Sequence, residues 1–215
     1  MDTLLDNLGQ ILDGFQLTLV LFAGGAVVAL VLGTVLAAMR VSPVAPLRWA
    51  GTAYVNVVRN TPLVLVFIWV VFALPELGIR FSFRTFAIMA VGFYTASFVT
   101  EVLRSGVNTV NPGQAEAARA IGMTFGQTLS QVVMPQAFRS VIPPLGSVLI
   151  ALAKNTSVAA GFGIVEATGT LAELARDFPQ ALYWLFFGIA LGYIIIVAVL
   201  SGVFRVLERR LVVVR

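Results

Sequence analysis

The chain has 215 residues, of which 59% are hydrophobic and 11% charged, with a net charge of +4. Soluble domains carry about 25% charged residues, so this composition, with a mean hydropathy of +0.97, predicts an integral membrane protein with one helical bundle over residues 1–215. Cysteine and histidine are absent, which excludes a disulfide framework and removes the usual general base and the commonest metal ligand. We therefore expect a protein that is not an enzyme, with no catalytic residue, cofactor or metal site of its own.

Five apolar stretches are long enough to cross a bilayer, taking about 20 residues per crossing. They predict an all-α fold with transmembrane helices at residues 15–39, 62–79, 85–106, 136–160 and 180–204. No basic residue precedes the first stretch, which indicates a retained span and not a cleaved signal peptide. For the second stretch an alternative stays open: residues 44–58 fit a helix lying along the inner surface, with Thr61 and Pro62 opening the crossing.

Charges are distributed unevenly between the ends of these stretches. Arginines follow the first, third and fifth stretches, whereas the opposite ends hold most of the acidic residues, with Arg80, Arg84 and Arg176 as exceptions. The positive-inside rule then places the N-terminus outside and the C-terminus in the cytoplasm.

Small residues recur at every fourth position of two stretches. Gly25, Ala29, Gly33 and Ala37 form such a ladder in the first, and Gly188 and Gly192 repeat it in the fifth. Ladders of this kind allow helix backbones to approach closely in lipid. They predict close helix contacts, either within this bundle or with another chain.

A partly polar segment, residues 111–135, separates the third and fourth stretches on the predicted cytoplasmic side. Asn111 is a good helix N-cap, Pro112 suits the first helical position, and Gln114 has capping-box spacing. Gly122 is placed to end this helix in a left-handed conformation.

The same segment contains a second helix start. Thr124 and Gln127 repeat the capping-box spacing, and Pro135 predicts the next break. The pattern predicts two short helices that meet at a glycine, a shape suited to docking. An ordinary helical loop between two spans is the alternative interpretation.

Lys154 is the only lysine of the chain and lies in the fourth apolar stretch, followed by Asn155, Thr156 and Ser157. Charged residues within spans are costly and usually face a cavity or a partner. A polar tetrad at this place indicates a broken helix that lines a solute path, with Lys154 as its cation and the other three as neutral donors. The alternative is structural: Lys154 reaches the interface or pairs with an acid.

Two further places hold polar candidates for the pathway. Glu101 and Arg104 share a helix face at the end of the third stretch, where they could simply pair with each other. Arg59 precedes the second crossing and is expected either to anchor it at the inner surface or to face the pathway.

A phosphate-binding loop of the Walker type is missing. Such a loop needs Gly-x4-Gly-Lys-Ser/Thr, whereas Lys154 is followed by Asn155 and lacks the glycines. A solute path driven by ATP would therefore depend on nucleotide hydrolysis by a partner, for which residues 111–135 offer a handle.

Several of these motifs resemble those of binding-protein-dependent ABC importer permeases. Glu116-Ala117-Ala118, then Gly122 and Met134-Pro135, resemble the EAA loop of that family, with Met134 in place of the usual leucine. The polar amino-acid branch is indicated by residues 59–62, 113–116, 135–137 and 154–157. Glutamate-uptake permeases are indicated by residues 39–43, 53–56 and 103–109. The resemblance covers nearly the whole chain.

The resemblance implies a type I importer fold of five spans in the bacterial cytoplasmic membrane. It implies a second, similar permease subunit, two cytoplasmic ATPase subunits that bind ATP and magnesium, and an extracytoplasmic solute-binding protein, with no nucleic acid. In such proteins the EAA helix is the coupling helix, which assigns ATPase coupling to Glu116, Ala117, Ala118 and Gly122.

Glutamate is the substrate that the resemblance implies, with another polar amino acid as the alternative. A stand-alone secondary transporter or channel is the competing class, against which five spans without an inverted repeat argue.

Overall fold

A computed structural model describes residues 2–211, apart from the side chain of Val107. Its regular elements are helices, and no strand occurs in this range. In chain order they are α1 Asp2–Asp6, α2 Leu8–Val41, α3 Ala45–Arg59, α4 Leu63–Glu76, α5 Phe83–Asn108, α6 Pro112–Ala120, α7 Phe125–Phe162, α8 Ala167–Asp177 and, after a short 3-10 turn, α9 Leu182–Leu211. The predicted all-α architecture is confirmed.

Four of these helices, α2, α5, α7 and α9, are long and apolar enough to cross a membrane, and α3 with α4 forms a bent pair that supplies a fifth span if it is counted as one. The two members of the pair meet at an angle of 110°. Pro62 lies at the N-cap of α4, directly after Thr61. The alternative interpretation of the second stretch predicts a separate helix at residues 44–58, and the structure has one at Ala45–Arg59.

The central contact of the bundle joins α2 to α5 along the small-residue ladder. A Cβ atom added at Gly25 would lie 2.7 Å from Val91 Cγ2, and one added at Gly33 would lie 2.6 Å from Val99 Cγ1 and 3.1 Å from the carbonyl oxygen of Ala96. The ladder thus serves a contact within this chain. The second ladder does the same, because Gly188 contacts Leu4 and Gly192 contacts the ring of Phe15.

Helix α7 continues through two places where the sequence predicts a break. Residues 128–133 form a π-helical turn, and the α-helix Met134–Asn155 follows directly with Pro135 near its start. The prediction of a break at Pro135 was wrong. A proline lacks an N–H and crowds the carbonyl four residues earlier, and the π-turn shifts the hydrogen-bonding pattern at that point.

At the second predicted break, residues 154–157, the α-helix does end, at Asn155, but the backbone does not unwind. The α-helix tightens there into a 3-10 helix, Thr156–Phe162, which ends at Gly163 with φ +78°. Thr156 donates its hydroxyl to the carbonyl oxygen of Ala153 at 2.8 Å. Because the segment stays helical, residues 154–157 contact their surroundings through side chains and not through free backbone N–H and carbonyl groups.

The Gly33 contact predicts a large loss of stability on a small substitution. In Gly33→Ala the new methyl group would overlap Val99 and approach backbone, which costs about 1–3 kcal/mol. Gly9→Ala on the same helix is the matched control, because nothing lies within 4 Å of its added Cβ. Thermal unfolding of the purified variants should show a lower midpoint for Gly33→Ala alone, and equal midpoints would contradict the assigned contact.

Candidate coupling and substrate sites

Helix α6 is closed at both ends by the residues that the sequence assigns to this task. The Asn111 side chain accepts a hydrogen bond from the N–H of Gly113 at 2.9 Å. At the other end Gly122 has φ +89°, and the N–H of Met123 reaches the carbonyl of Ala118 at 3.1 Å. This is a Schellman ending, for which glycine is suited because it lacks a Cβ.

The start of α7 carries the second predicted cap. The N–H of Thr124 donates to Gln127 Oε1 at 2.9 Å, and the N–H of Gln127 donates to Thr124 Oγ1 at 3.3 Å. This capping box is confirmed. The first one is not, because within residues 2–211 no hydrogen bond runs from the Gln114 side chain back to Asn111.

The four residues assigned to coupling do not share one environment. Glu116, Ala117 and Gly122 are exposed, whereas Ala118 is buried. The exposed face also presents two large apolar side chains, Ile121 at 81% exposure and Phe125 at 75%. Large apolar side chains exposed to this degree are typical of an interaction surface. Neither side chain is among the residues predicted for coupling, although Ile121 directly precedes Gly122 and Phe125 lies three positions after it.

Glu101 is held by two arginines. Arg104 Nη2 lies 3.0 Å from its Oε2, which confirms the predicted pair, and Arg40 Nη1 bonds to Oε1. Arg40 was missed because it lies on another helix. The cluster ties the C-terminal end of α2 to the C-terminal part of α5, so Glu101 has its partners and offers little to a passing solute.

Arg59 and Asn155 lie on one side of α5. The Arg59 guanidinium stands 5.6 Å from the ring centroid of Phe98. The same ring lines a cavity of about 310 Å³ together with Tyr94 and Asn155. This cavity lies between α5 and α7.

Lys154 and Ser157 face a different cavity. It has a volume of about 280 Å³ and lies between α7, α8 and α9, with Thr168 and Tyr193 in its wall. Within residues 2–211 no acidic side chain forms an ion pair with Lys154. Thr156 is fully buried. The tetrad therefore does not converge on one site: two members line this cavity, one lines the Phe98 cavity, and one is part of the core.

Glu166 is a buried acidic residue outside the sites predicted from the sequence. It is 0% exposed and caps α8 from the N-cap position, where its side chain accepts the N–H groups of Thr168 and Gly169. A lone acid directly after the apolar run Gly163–Val165 was the available signal, since a charge in such a place needs partners.

Comparisons with known proteins agree with this architecture. Residues 29–213 match a family model described as binding-protein-dependent transport system inner membrane component. The chain is 43% identical to the glutamate transport system permease protein GluC of Corynebacterium glutamicum, over 91% of this chain and 92% of that protein. It is 36% identical to a probable glutamine ABC transporter permease protein, GlnM of Bacillus subtilis, over 97% and 96%.

A solved structure has the same fold. It is a crystal structure of an amino acid ABC transporter with histidines, one chain of which superposes with a TM-score of 0.90 over 97% of both chains at 25% identity.

The arginine cluster predicts a structural role for Arg40. Arg40→Met would leave Glu101 Oε1 without its partner, at a cost of about 1–3 kcal/mol. The control is Arg48→Met, because Arg48 is exposed and, within residues 2–211, its side chain bonds only to the carbonyls of Ser42 and Pro43. Thermal unfolding in detergent should show a lower midpoint for Arg40→Met than for Arg48→Met. A midpoint that Arg40→Met leaves unchanged would contradict the role.

Proposed function

The chain belongs to the family of binding-protein-dependent transport system inner membrane components, and we propose that it forms the membrane path for glutamate. It is a multi-pass membrane protein and a permease of an amino-acid ABC importer, not an enzyme. The proposal concerns its substrate, its coupling residues and its partners.

The surroundings of Lys154 are the main support for an acidic substrate. It is exposed to a cavity and has no acidic partner among residues 2–211. A cation within a membrane-spanning helix is costly unless a cavity or a counter-ion compensates it. Glutamate has one carboxylate more than a neutral amino acid and supplies that counter-ion during passage.

Relatives named for glutamate transport support the same substrate. A neutral polar amino acid is the second candidate, because a relative at 36% identity is named a probable glutamine permease. Glutamine would bind Lys154 through its α-carboxylate, and its side-chain amide would not contact Lys154.

Coupling is assigned to the exposed face of α6 and the start of α7. Glu116 and Ala117 would contact a cytoplasmic ATPase subunit, with Ile121 and Phe125 as apolar anchors. Ala118 supports this face from inside, since it is buried.

The complete importer is proposed to hold two ATPase subunits, which bind ATP and magnesium, a second permease subunit and an extracytoplasmic solute-binding protein. ATP binding would draw the ATPase subunits together and pivot the helix bundles as rigid bodies between outward and inward access. Solute movement by the purified chain without ATP or partners would instead favour a stand-alone transporter.

The substrate assignment predicts the effect of removing the Lys154 charge. Lys154→Gln should lower glutamate uptake per assembled complex about tenfold or more, because a charge-assisted hydrogen bond contributes about 1.5–3 kcal/mol. Radiolabelled uptake is measured in vesicles and divided by the amount of complex. Arg205→Gln is the control, an exposed arginine outside this cavity.

A structural role for Lys154 gives a different result. Assembly would then fall in Lys154→Gln, with uptake per complex unchanged, and that outcome would exclude Lys154 as a substrate residue.

The coupling assignment predicts variants that fold but do not transport. Gly122→Val forces a branched side chain into a left-handed conformation, which costs about 1–3 kcal/mol locally, and Glu116→Lys reverses the docking charge. Both should reach the membrane at near-normal levels and lose transport or the ATPase subunit, as followed by co-purification. Gly78→Val is the matched control, because Gly78 also has a left-handed φ, +84°, with nothing within 4 Å of its added Cβ, and lies outside the coupling face. Normal transport in both coupling variants would refute the assignment.

A further inference from the structure

Glu166 joins three helices through hydrogen bonds to its two carboxyl oxygens. Oε1 accepts from the N–H of Thr168 at 2.9 Å and from that of Gly169 at 3.1 Å. Oε2 accepts from the Thr18 hydroxyl at 3.1 Å and from the Tyr193 hydroxyl at 2.7 Å. Every contact of this buried side chain is an acceptor contact, and it links α2, α8 and α9.

These contacts fix the direction of two hydroxyl groups in the wall of the Lys154 cavity. Tyr193 has a single hydroxyl proton, and that proton is donated to Glu166 Oε2. Thr168 Oγ1 lies 3.1 Å from the Tyr193 oxygen. Because the Tyr193 proton is already used, the Thr168 hydroxyl is the donor in this hydrogen bond and the Tyr193 oxygen is the acceptor. Neither proton is left for a ligand, so both oxygens can act toward the cavity only as acceptors, the Tyr193 oxygen with the one acceptor position that the Thr168 proton leaves.

Donors and acceptors are thereby separated within one cavity. The Ser157 hydroxyl also donates its proton within the protein, to the carbonyl oxygen of Lys154 at 2.7 Å. Among the four polar side chains that line the cavity, Lys154, Ser157, Thr168 and Tyr193, only Lys154 is left as a donor. The volume of about 280 Å³ is close to the lower bound of about 300 Å³ for small-molecule sites.

We propose that Thr168 Oγ1 and the Tyr193 hydroxyl oxygen bind the α-ammonium group of an amino-acid substrate, while Lys154 binds a carboxylate. An ammonium group has three donors and no acceptor, which matches the wall that Glu166 arranges. Glu166 itself is a positioning residue, because it acts through the two hydroxyl groups. This inference rests on the proposed amino-acid transport and assigns the part of the site that Lys154 does not explain.

Three variants alter the acceptor wall in different ways. Tyr193→Phe and Thr168→Val each remove one acceptor. In Glu166→Gln the amide oxygen would still accept hydrogen bonds from the backbone N–H groups of α8, and the amide nitrogen would donate to the Tyr193 oxygen. The Tyr193 hydroxyl would then no longer donate to residue 166, and its proton would be free to point into the cavity. Thr18→Val is the control, because Thr18 bonds the same carboxyl oxygen and does not line the cavity.

The test compares two ligands that differ only in the ammonium group. L-Glutamate and glutarate are titrated calorimetrically into the purified permease–ATPase complex, without the solute-binding protein so that its own selectivity does not enter. The wild-type complex should bind glutamate at least about tenfold more tightly than glutarate. The three wall variants should lose about tenfold or more for glutamate and leave glutarate unchanged, since one charge-assisted bond is worth that much. Thr18→Val should lower the unfolding temperature and keep the ligand ratio.

The results separate this inference from the proposed substrate. Lys154→Gln should weaken both ligands alike. If the wild-type complex binds glutamine more tightly than glutamate, the proposal that glutamate is the substrate is wrong. The same variants are then tested with glutamine and its deaminated analogue, 4-carbamoylbutanoate. Equal losses for the amino acid and its deaminated analogue in Tyr193→Phe and Thr168→Val would overturn the ammonium site. So would a wild type that binds each pair equally or binds neither amino acid.

Discussion

Polar groups inside a membrane must find their partners within the protein, because lipid offers none. This constraint explains most polar contacts of the chain: Glu101 between two arginines, Glu166 beneath four donors, and the Thr100 hydroxyl donating to the carbonyl of Ala96 at 2.7 Å. Two buried atoms in the described chain lack such a partner, Arg104 Nε and Thr128 Oγ1. Lys154 differs from all of these, since it is charged, lines a cavity and forms no ion pair with an acid among residues 2–211. That difference supports the proposal that a mobile solute is its counter-ion.

The same requirement makes α7 a continuous connection. The π-turn at residues 128–133 keeps helical hydrogen bonding up to Pro135, so the helix runs unbroken from Phe125, on the exposed coupling face, past Lys154. At about 1.5 Å per residue this is about 44 Å of one element. A displacement applied at Phe125 therefore reaches the cavity wall through the backbone of a single helix, and a rigid-body pivot needs no chain of side-chain contacts.

Local chemistry made much of this fold predictable from the sequence. Asn111, Gly122 and the pair Thr124 and Gln127 act through neighbours within four positions, and the small-residue ladders mark helix faces that must contact something. The partners across the fold were not predictable. Arg40 reaches Glu101 over 61 positions, and Thr18 reaches Glu166 over 148, distances at which sequence spacing carries no information. Pro135 does not end the helix, because the π-helical turn that precedes it changes the hydrogen-bonding pattern where the proline lacks an N–H.

The polar tetrad shows why a contiguous motif is a poor guide to a site on a helix. Successive helical residues point about 100° apart, so neighbours in sequence face different surroundings, and only positions three or four apart share a face. Lys154 and Ser157 meet this condition and line one cavity, whereas Asn155 turns toward Phe98 and Thr156 toward the core. The remaining wall of the Lys154 cavity comes from α8 and α9. In the proposed site, one end of the amino acid would bind a helix that runs to the proposed coupling face, and the other end would bind two helices that Glu166 links to α2.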